Sequence, residues 1–284
     1  MKDKKFDSII NYSTEVKAYL YGNTLEMTTA KGPTFQSTQK IDKNRYVDLE
    51  TGEIKYFEKN SSLRIDNLET IKKTMKKLRR LISHNFTGGD NQLWITLTFS
   101  EEVTDYRIAS KDYKLFMKKI RRRYANLEYI SVIEPQKSGR WHFHVLLKET
   151  TNKKLYISNT EINKIWGNGF TKTKRLKTTD KIGNYVTTYL TDLKIDDTNQ
   201  TVKGARLHFY PKGIRIYRRS RNIENPLEFN DLKENIMLTH NIKNKQPNFS
   251  KETTYETRYG LQKYYTEFYD DLDIKEVQSN GLRN

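Results

Sequence analysis

In the stretch RWHFHVLLKE, residues 140 to 149, two histidines stand one residue apart within an otherwise apolar run. Residues two apart in a β-strand project from the same face, roughly 6.5–7 Å from one another. His142 and His144 therefore share a face with Leu146, while Trp141, Phe143, Val145 and Leu147 form the other. The second set already supplies an apolar core face. Two imidazoles buried on the first face without partners would be costly. Two neutral imidazoles on one face can instead hold one divalent cation. Both readings stand at this point: partnered structural histidines, or a pair of ligands.

A carboxylate joins them. Glu134 ends the strand-like segment LEYISVIE (127–134), and PQKSGR (135–140) is short enough to return the chain antiparallel into the histidine strand. An acid at that strand end comes to lie beside His142. Two His and one Glu leave coordination positions open for water or a phosphate oxygen, which a catalytic metal site requires. The competing reading of Glu134 alone is a plain surface acid.

A third group with reactive chemistry follows about forty residues later. In KIGNYVTTYLTDLK (181–194), Ile182, Val186, Leu190 and Leu193 form one helical stripe, and Tyr185 and Tyr189, four apart, stack on another face. Taken alone, such tyrosines are core or boundary residues. Beside a metal site in a basic protein they become candidate nucleophiles, because a phenolate can attack a phosphodiester and hold it covalently.

The elements that must position these residues follow from periodicity. QLWITLTF (92–99) alternates as a strand, SKDYKLFMKKIRRRY (110–124) has Tyr113, Phe116, Met117, Ile120 and Tyr124 at helical spacing, and 127–134 and WHFHVLLK are strands. A short helix starts in TEINKIW (160–166), FTKTKRLK (170–177) is a strand, the tyrosine segment 180–193 is a helix, and ARLHFY and GIRIYR are strands. An earlier helix carries Leu68, Ile71, Met75, Leu78 and Ile82, with Asp66 as candidate N-cap. The predicted fold class is α+β: an antiparallel sheet in the β-α-β-β-α-β order of a ferredoxin-like, split βαβ palm. The expected organisation is a β-rich appendage over residues 1–62 with a hairpin at Thr51-Gly52, a central domain over 63–226 and a C-terminal extension over 227–284.

Composition narrows the function. The chain has 284 residues and a formal charge of +17, which points to a polyanionic partner. It has no Cys, so disulfide scaffolds, thiolate zinc sites and thiol nucleophiles are excluded. The charged N-terminus and the lack of any long apolar run point away from a membrane and toward the cytoplasm. Within this chain no G-x-x-x-x-G-K-[ST] segment occurs, so no P-loop helicase is expected in it.

Taken together, LWITLTF, a Glu upstream of RWHFHVLL, IWGNGFTKTKRLK, YVTTYLTD and FYPKGIRIYRRSR resemble the HUH endonucleases, and among them the rolling-circle replication initiators of bacteriophages and small plasmids. The resemblance covers about residues 65 to 225. It implies a site-specific endonuclease and ligase acting on single-stranded or supercoiled origin DNA in a bacterial host cell. Mg²⁺ or Mn²⁺ would be held by His142, His144 and Glu134. Tyr185 or Tyr189 would form a 5′-phosphotyrosine, and a host polymerase and helicase would continue the work. The chain departs from that family's pattern after each tyrosine, where a Lys is common three residues on: Thr188 and Asp192 occupy those positions, with Lys194 nearby. Arg140, Lys148, Lys194, Lys212, Arg215, Arg218, Arg219 and Arg221 are the residues expected to contact DNA, with Arg215, Tyr217 and Arg219 sharing one strand face. A relaxase or single-strand transposase would share this core. A different class, a non-catalytic RNA-recognition-like module, would share only the topology. Trp141 and Trp166 are expected in the core, and His84, His208 and His240 have no partner at ligand spacing.

Overall fold

Apolar residues at a two-residue period build the strands of this chain, and those at a three- to four-residue period build the helices that cover them. The computed structural model describes residues 7–30, 38–49, 51–56, 68–136, 138–177, 194–195, 201–202, 210–211, 213–257 and 260–272. In chain order the elements are β1 (Glu15–Tyr21), β2 (Thr24–Thr28), β3 (Thr38–Lys40), β4 (Arg45–Asp48), β5 (Ile54–Tyr56), α1 (Leu68–Asn85), β6 (Gln92–Thr98), α2 (Tyr106–Arg123), β7 (Leu127–Pro135) and β8 (Trp141–Glu149). They continue with α3 (Asn159–Trp166), β9 (Thr171–Arg175), β10 (Lys194–Ile195), β11 (Thr201–Val202), β12 (Tyr217–Arg219), β13 (Leu227–Leu232), α4 (Lys233–Thr239), β14 (Phe249–Thr257) and β15 (Gly260–Tyr269). The chain divides into two compact units, residues 60–225 and a second made of 1–59 with 226–284.

In the unit 60–225, the five-stranded sheet has the order β12-β7-β8-β6-β9, every neighbouring pair antiparallel. The run β6-α2-β7 is a βαβ unit whose two strands are split by β8, and β8-α3-β9 is a second one split by β6. This is the ferredoxin-like arrangement expected from the order of elements, with β12 added at one edge. One face of β8 packs on α2, where Phe143 stacks on Tyr113 with ring centroids 4.5 Å apart. Trp141 and Trp166 are buried, and their indole N–H groups donate to Thr104 O at 2.7 Å and Thr98 O at 3.1 Å. Ile71, Met75, Leu78 and Ile82 of α1 are buried in the same core.

Several boundaries differ from the sequence expectation. Helix α2 starts earlier, because the Asp105 side chain accepts from Arg107 N at 2.7 Å and caps it. Strand pairing of GIRIYR is confined to its end, at Tyr217–Arg219, although Ile133 N already donates to Ile216 O. Asp66, His208, most of ARLHFY and the tyrosine segment 178–193 lie outside the described residues.

In the other unit, β13-β1-β2-β15-β14 form one antiparallel sheet, so segments from both chain ends are neighbouring strands. A separate three-stranded sheet, β3-β4-β5, contains the hairpin at Thr51-Gly52, where Gly52 has φ +72° and its N–H donates to Asp48 O. A fully buried ion pair ties the main sheet to the N-terminal segment. Lys233 Nζ donates to Glu267 Oε2 at 2.6 Å and to Ile10 O at 2.8 Å, and Glu267 Oε1 accepts from Ile9 N and Ile10 N. With every charge bonded, the pair is tolerated; removing one partner would strand the other in the core.

Gly169 holds the connection between α3 and β9 against β6. Its φ is +148°, and a Cβ there would lie 2.3 Å from Ser100 N and 2.4 Å from Thr98 O. Those are backbone atoms, which cannot move aside without disturbing the β6–β9 pairing. Gly169→Ala is therefore expected to destabilise this unit by about 2 kcal/mol or more, read from denaturant unfolding followed by tryptophan fluorescence.

Candidate metal centre

The register of three strands assembles the site. On β8, His142 faces Glu134 of β7 and Thr98 of β6, and His144 faces Val132 and Thr96. Directly opposed residues project from the same side of a sheet, so Glu134, His142, His144, Thr96 and Thr98 share the face turned away from α2. Leu146, Ile130 and Val132 on this face are buried as well. The apolar floor they make excludes water from one side of the histidines.

Glu134, His142 and His144 converge on one point. Nε2 of His142 lies 3.1 Å from Nε2 of His144, and each lies 3.2 Å from Glu134 Oε2. Glu134 and His142 are buried and His144 half-buried. Burial opposes ionisation of Glu134, but hydrogen bonds from His142 and His144 outweigh it and pull the carboxyl down to about 2.

The donor set fits a cation. Two N–H groups can both point at the one carboxylate oxygen, but the 3.1 Å edge between the two Nε2 atoms then sets two donors against each other with no acceptor between them. The three atoms form a nearly equilateral triangle whose centre is about 1.8 Å from each corner. Metal–nitrogen and metal–oxygen bonds of about 2.0–2.2 Å place an ion just off that plane, satisfying all three lone pairs and leaving its other side open. Among the described residues this is the cluster of His and acidic side chains able to hold a metal ion.

The other residues expected at the site fall into distinct places. Tyr185, Tyr189 and Lys212 lie outside the described residues, and Lys194 enters only as the first residue of β10. Arg215 and Arg219 are exposed, and Tyr217 and Arg219 share the histidine face, because Tyr217 pairs with Val132 and Arg219 with Ile130. Arg219 also donates to Asn225 Oδ1 at 2.8 Å. Arg218 points the opposite way, into α2: its Nη2 donates to Ser110 Oγ at 2.6 Å and Tyr106 Oη at 3.1 Å, and the guanidinium lies 5.3 Å from the Tyr113 ring centre. Its place one residue after Tyr217 puts it on the covered face. Arg140 caps the β7–β8 turn by donating to Gln136 Oε1 at 2.8 Å. Lys148 shares the histidine face at its far end, and Arg221 is exposed in the turn after β12. An open cavity of about 620 Å³ runs along β12, lined by Thr74, Tyr129, Arg215, Tyr217 and Arg219.

Two basic residues on the opposite edge were not singled out from the sequence. Lys172 pairs with Thr96 and Lys174 with Trp94, so both project from the histidine face, and both are exposed. The alternation in TKTKR carries that signal, but which strand β9 joins is not written locally.

Residues 92–194, a little over a third of the chain, match a family of replication-associated proteins, the one described by its ORF2 members. The matched span opens at β6 and contains the triad and both tyrosines. No curated protein and no solved structure matches the chain. Among the described residues no helix is long and apolar enough to cross a membrane.

Two outcomes test the site itself. A saturating divalent cation, at about a hundred times its Kd, is expected to stabilise the protein by about 2.7 kcal/mol, seen as a rise in Tm that His142→Ala abolishes and a chelator reverses. In the metal-free protein, Glu134 holds its proton less tightly than the ordinary 4.5 of the unfolded chain. Its contribution is therefore present above that value and lost as pH falls toward 2, amounting to about 3 kcal/mol at most. Glu134→Gln is expected to flatten the fall of stability across that acid range, measured by urea unfolding at successive pH values.

Proposed function

We propose that this chain is a replication initiator that nicks one DNA strand at an origin and keeps the cut end as a phosphotyrosine. The observation that carries the reading is the convergence of Glu134, His142 and His144 on one point of an open sheet face, inside the span that matches replication-associated proteins. A non-catalytic strand-binding module needs no carboxylate aimed at two imidazoles.

The residues divide the work. His142, His144 and Glu134 hold Mg²⁺ or Mn²⁺ from the apolar side of the sheet, leaving its other side to a phosphate oxygen. Bound there, the cation supplies Lewis acidity that draws charge from the scissile phosphate. The phenolate oxygen of Tyr185 or Tyr189 attacks phosphorus, forming the Tyr–O–P bond to the 5′ side of the strand. The P–O3′ bond breaks, and the departing oxygen takes a proton to become a free 3′-OH. The covalent link conserves the bond energy, so the second tyrosine or a 3′-OH can reverse the step and rejoin the strand. The 3′-OH is a primer for a host polymerase, and unwinding falls to a host helicase or to supercoiling. The setting is the cytoplasm of a bacterial cell. Two imidazole nitrogens in the ligand set favour Mn²⁺ over Mg²⁺, which prefers oxygen.

The strand path follows the rows of the sheet. One row runs Lys172–Thr96–His144–Val132–Tyr217 from edge to edge, and the next runs Lys174–Trp94–Leu146–Ile130–Arg219. At about 4.8 Å per strand step, basic groups thus flank the triad by roughly 10 Å on each side. A single strand laid across the rows pairs its phosphates with Lys172, Lys174, Arg215 and Arg219 and stacks a base on Tyr217. Lys148, Arg140 and Arg221 extend the basic surface, with Lys194 and Lys212 assigned to the same strand, and Arg218 supports the sheet from the covered side.

Two assays test this. Incubated with labelled origin strands and Mn²⁺, the protein is expected to form a covalent adduct that a chelator prevents, with the attached peptide containing Tyr185 or Tyr189. Binding without any adduct on strands tiling the whole element would refute the enzyme. For the strand path, Lys172→Ala with Lys174→Ala is expected to weaken single-strand binding and to reduce the salt slope by about 1.4. Removing two exposed lysines of α2, Lys114→Ala with Lys118→Ala, is expected to leave both nearly unchanged, although the net charge falls equally.

A further inference from the structure

The metal-facing nitrogen of His144 depends on a choice made at its other nitrogen. While Nε2 of His144 lies in the triad, its Nδ1 lies 3.3 Å from Trp94 Nε1 and 3.3 Å from Thr96 Oγ1. A neutral imidazole carries one N–H, so Nε2 can present a lone pair to a cation only when the proton sits on Nδ1. The two neighbours of Nδ1 have opposite demands. An indole N–H donates and never accepts, so Trp94 requires a bare Nδ1 and thereby leaves the proton on Nε2. A hydroxyl can accept, so Thr96 is able to hold Nδ1–H and free Nε2 for ligation. The indole and imidazole planes stand at 89° with centroids 5.6 Å apart, which keeps the Trp94 N–H aimed at the ring edge. Thr96 is the direct cross-strand partner of His144, and Trp94 sits two residues before it on the same strand and face.

We propose that His144 is a tautomeric gate, with Thr96 a positioning residue for its ligating form and Trp94 a restraint that favours the non-ligating form. Loading of a divalent cation moves the Nδ1 hydrogen bond from Trp94 to Thr96. The gate rests on the reading of Glu134, His142 and His144 as metal ligands. It accounts for a site that is stable without metal, because in the metal-free form His144 Nε2–H donates to Glu134 Oε2 while Trp94 donates to Nδ1.

The experiment compares Thr96→Val, Thr96→Ser and Trp94→Phe with the parent. The tautomer of His144 is read from ¹⁵N chemical shifts of labelled histidine in metal-free protein at about pH 8, above the ordinary histidine range. Mn²⁺ affinity is read by calorimetry. Thr96→Val preserves the β-branched shape and should weaken Mn²⁺ binding by roughly 10- to 100-fold, the usual effect of losing a partner that orients a metal ligand. Thr96→Ser should restore it. Trp94→Phe should move the metal-free tautomer toward Nδ1–H and leave Mn²⁺ binding as tight as the parent's or tighter. Thr96→Val with unchanged affinity, or Trp94→Phe weakening it as much as Thr96→Val does, would overturn the gate. If the parent binds no divalent cation, the metal reading itself fails and the gate with it. A Trp94→Phe protein whose metal-free tautomer does not move refutes the gate alone.

Discussion

The strand register that sets Glu134 opposite His142 is the constraint on which the rest of this protein's chemistry depends. The period of a strand is two, so a slip of one residue between β7 and β8 would turn Glu134 to the α2 side and leave both histidines facing Ile133 and its neighbours. The slip is prevented by what lies on the other face. Phe143 stacked on Tyr113, Trp141 bonded to Thr104 O, and Val145 and Leu147 wholly buried all require the register that brings the triad together. The tight connection supports it, with Gln136 N donating to Arg140 O and Gly139 N to Gln136 O. The apolar core thus specifies a polar site it does not contain.

The same logic explains how a buried carboxylate is tolerated. Glu134 is nearly inaccessible, yet it stays ionised because two imidazole N–H groups meet one of its oxygens. The other unit solves a like problem with fixed partners: Lys233 and Glu267 satisfy one another and the backbone of Ile9 and Ile10. That pair is saturated and closed. The triad is unsaturated along its His142–His144 edge, and this difference separates a structural ion pair from a site able to take up a ligand.

Much of this was legible in the sequence because it is local. Alternation in WHFHVLL gave the two faces of β8, the brevity of PQKSGR gave the return of the chain, and the two together gave Glu134 as the third ligand. The order of strands and helices gave the palm. What was not legible depends on pairing between distant segments. Thr96 and Trp94 alternate with buried residues in QLWITLT, but only the β6–β8 register shows that both reach the same nitrogen of His144. Lys172 and Lys174 alternate in TKTKR, but only the β9–β6 pairing brings them onto the histidine face. Arg218 looks like any base in IYRRSR until its parity with Ser131 turns it toward Ser110 and Tyr106. The joining of both chain ends in one sheet spans more than two hundred residues, from β1 to β13, and no local pattern announces it.

The most direct measurement of the central claim is anomalous X-ray scattering from crystals of the protein soaked in Mn²⁺. The account requires one strong peak about 2.2 Å from His142 Nε2, His144 Nε2 and Glu134 Oε2, lying on the open side of the sheet. A triad that stays empty at saturating Mn²⁺, with its three atoms still hydrogen-bonded to one another, would contradict it.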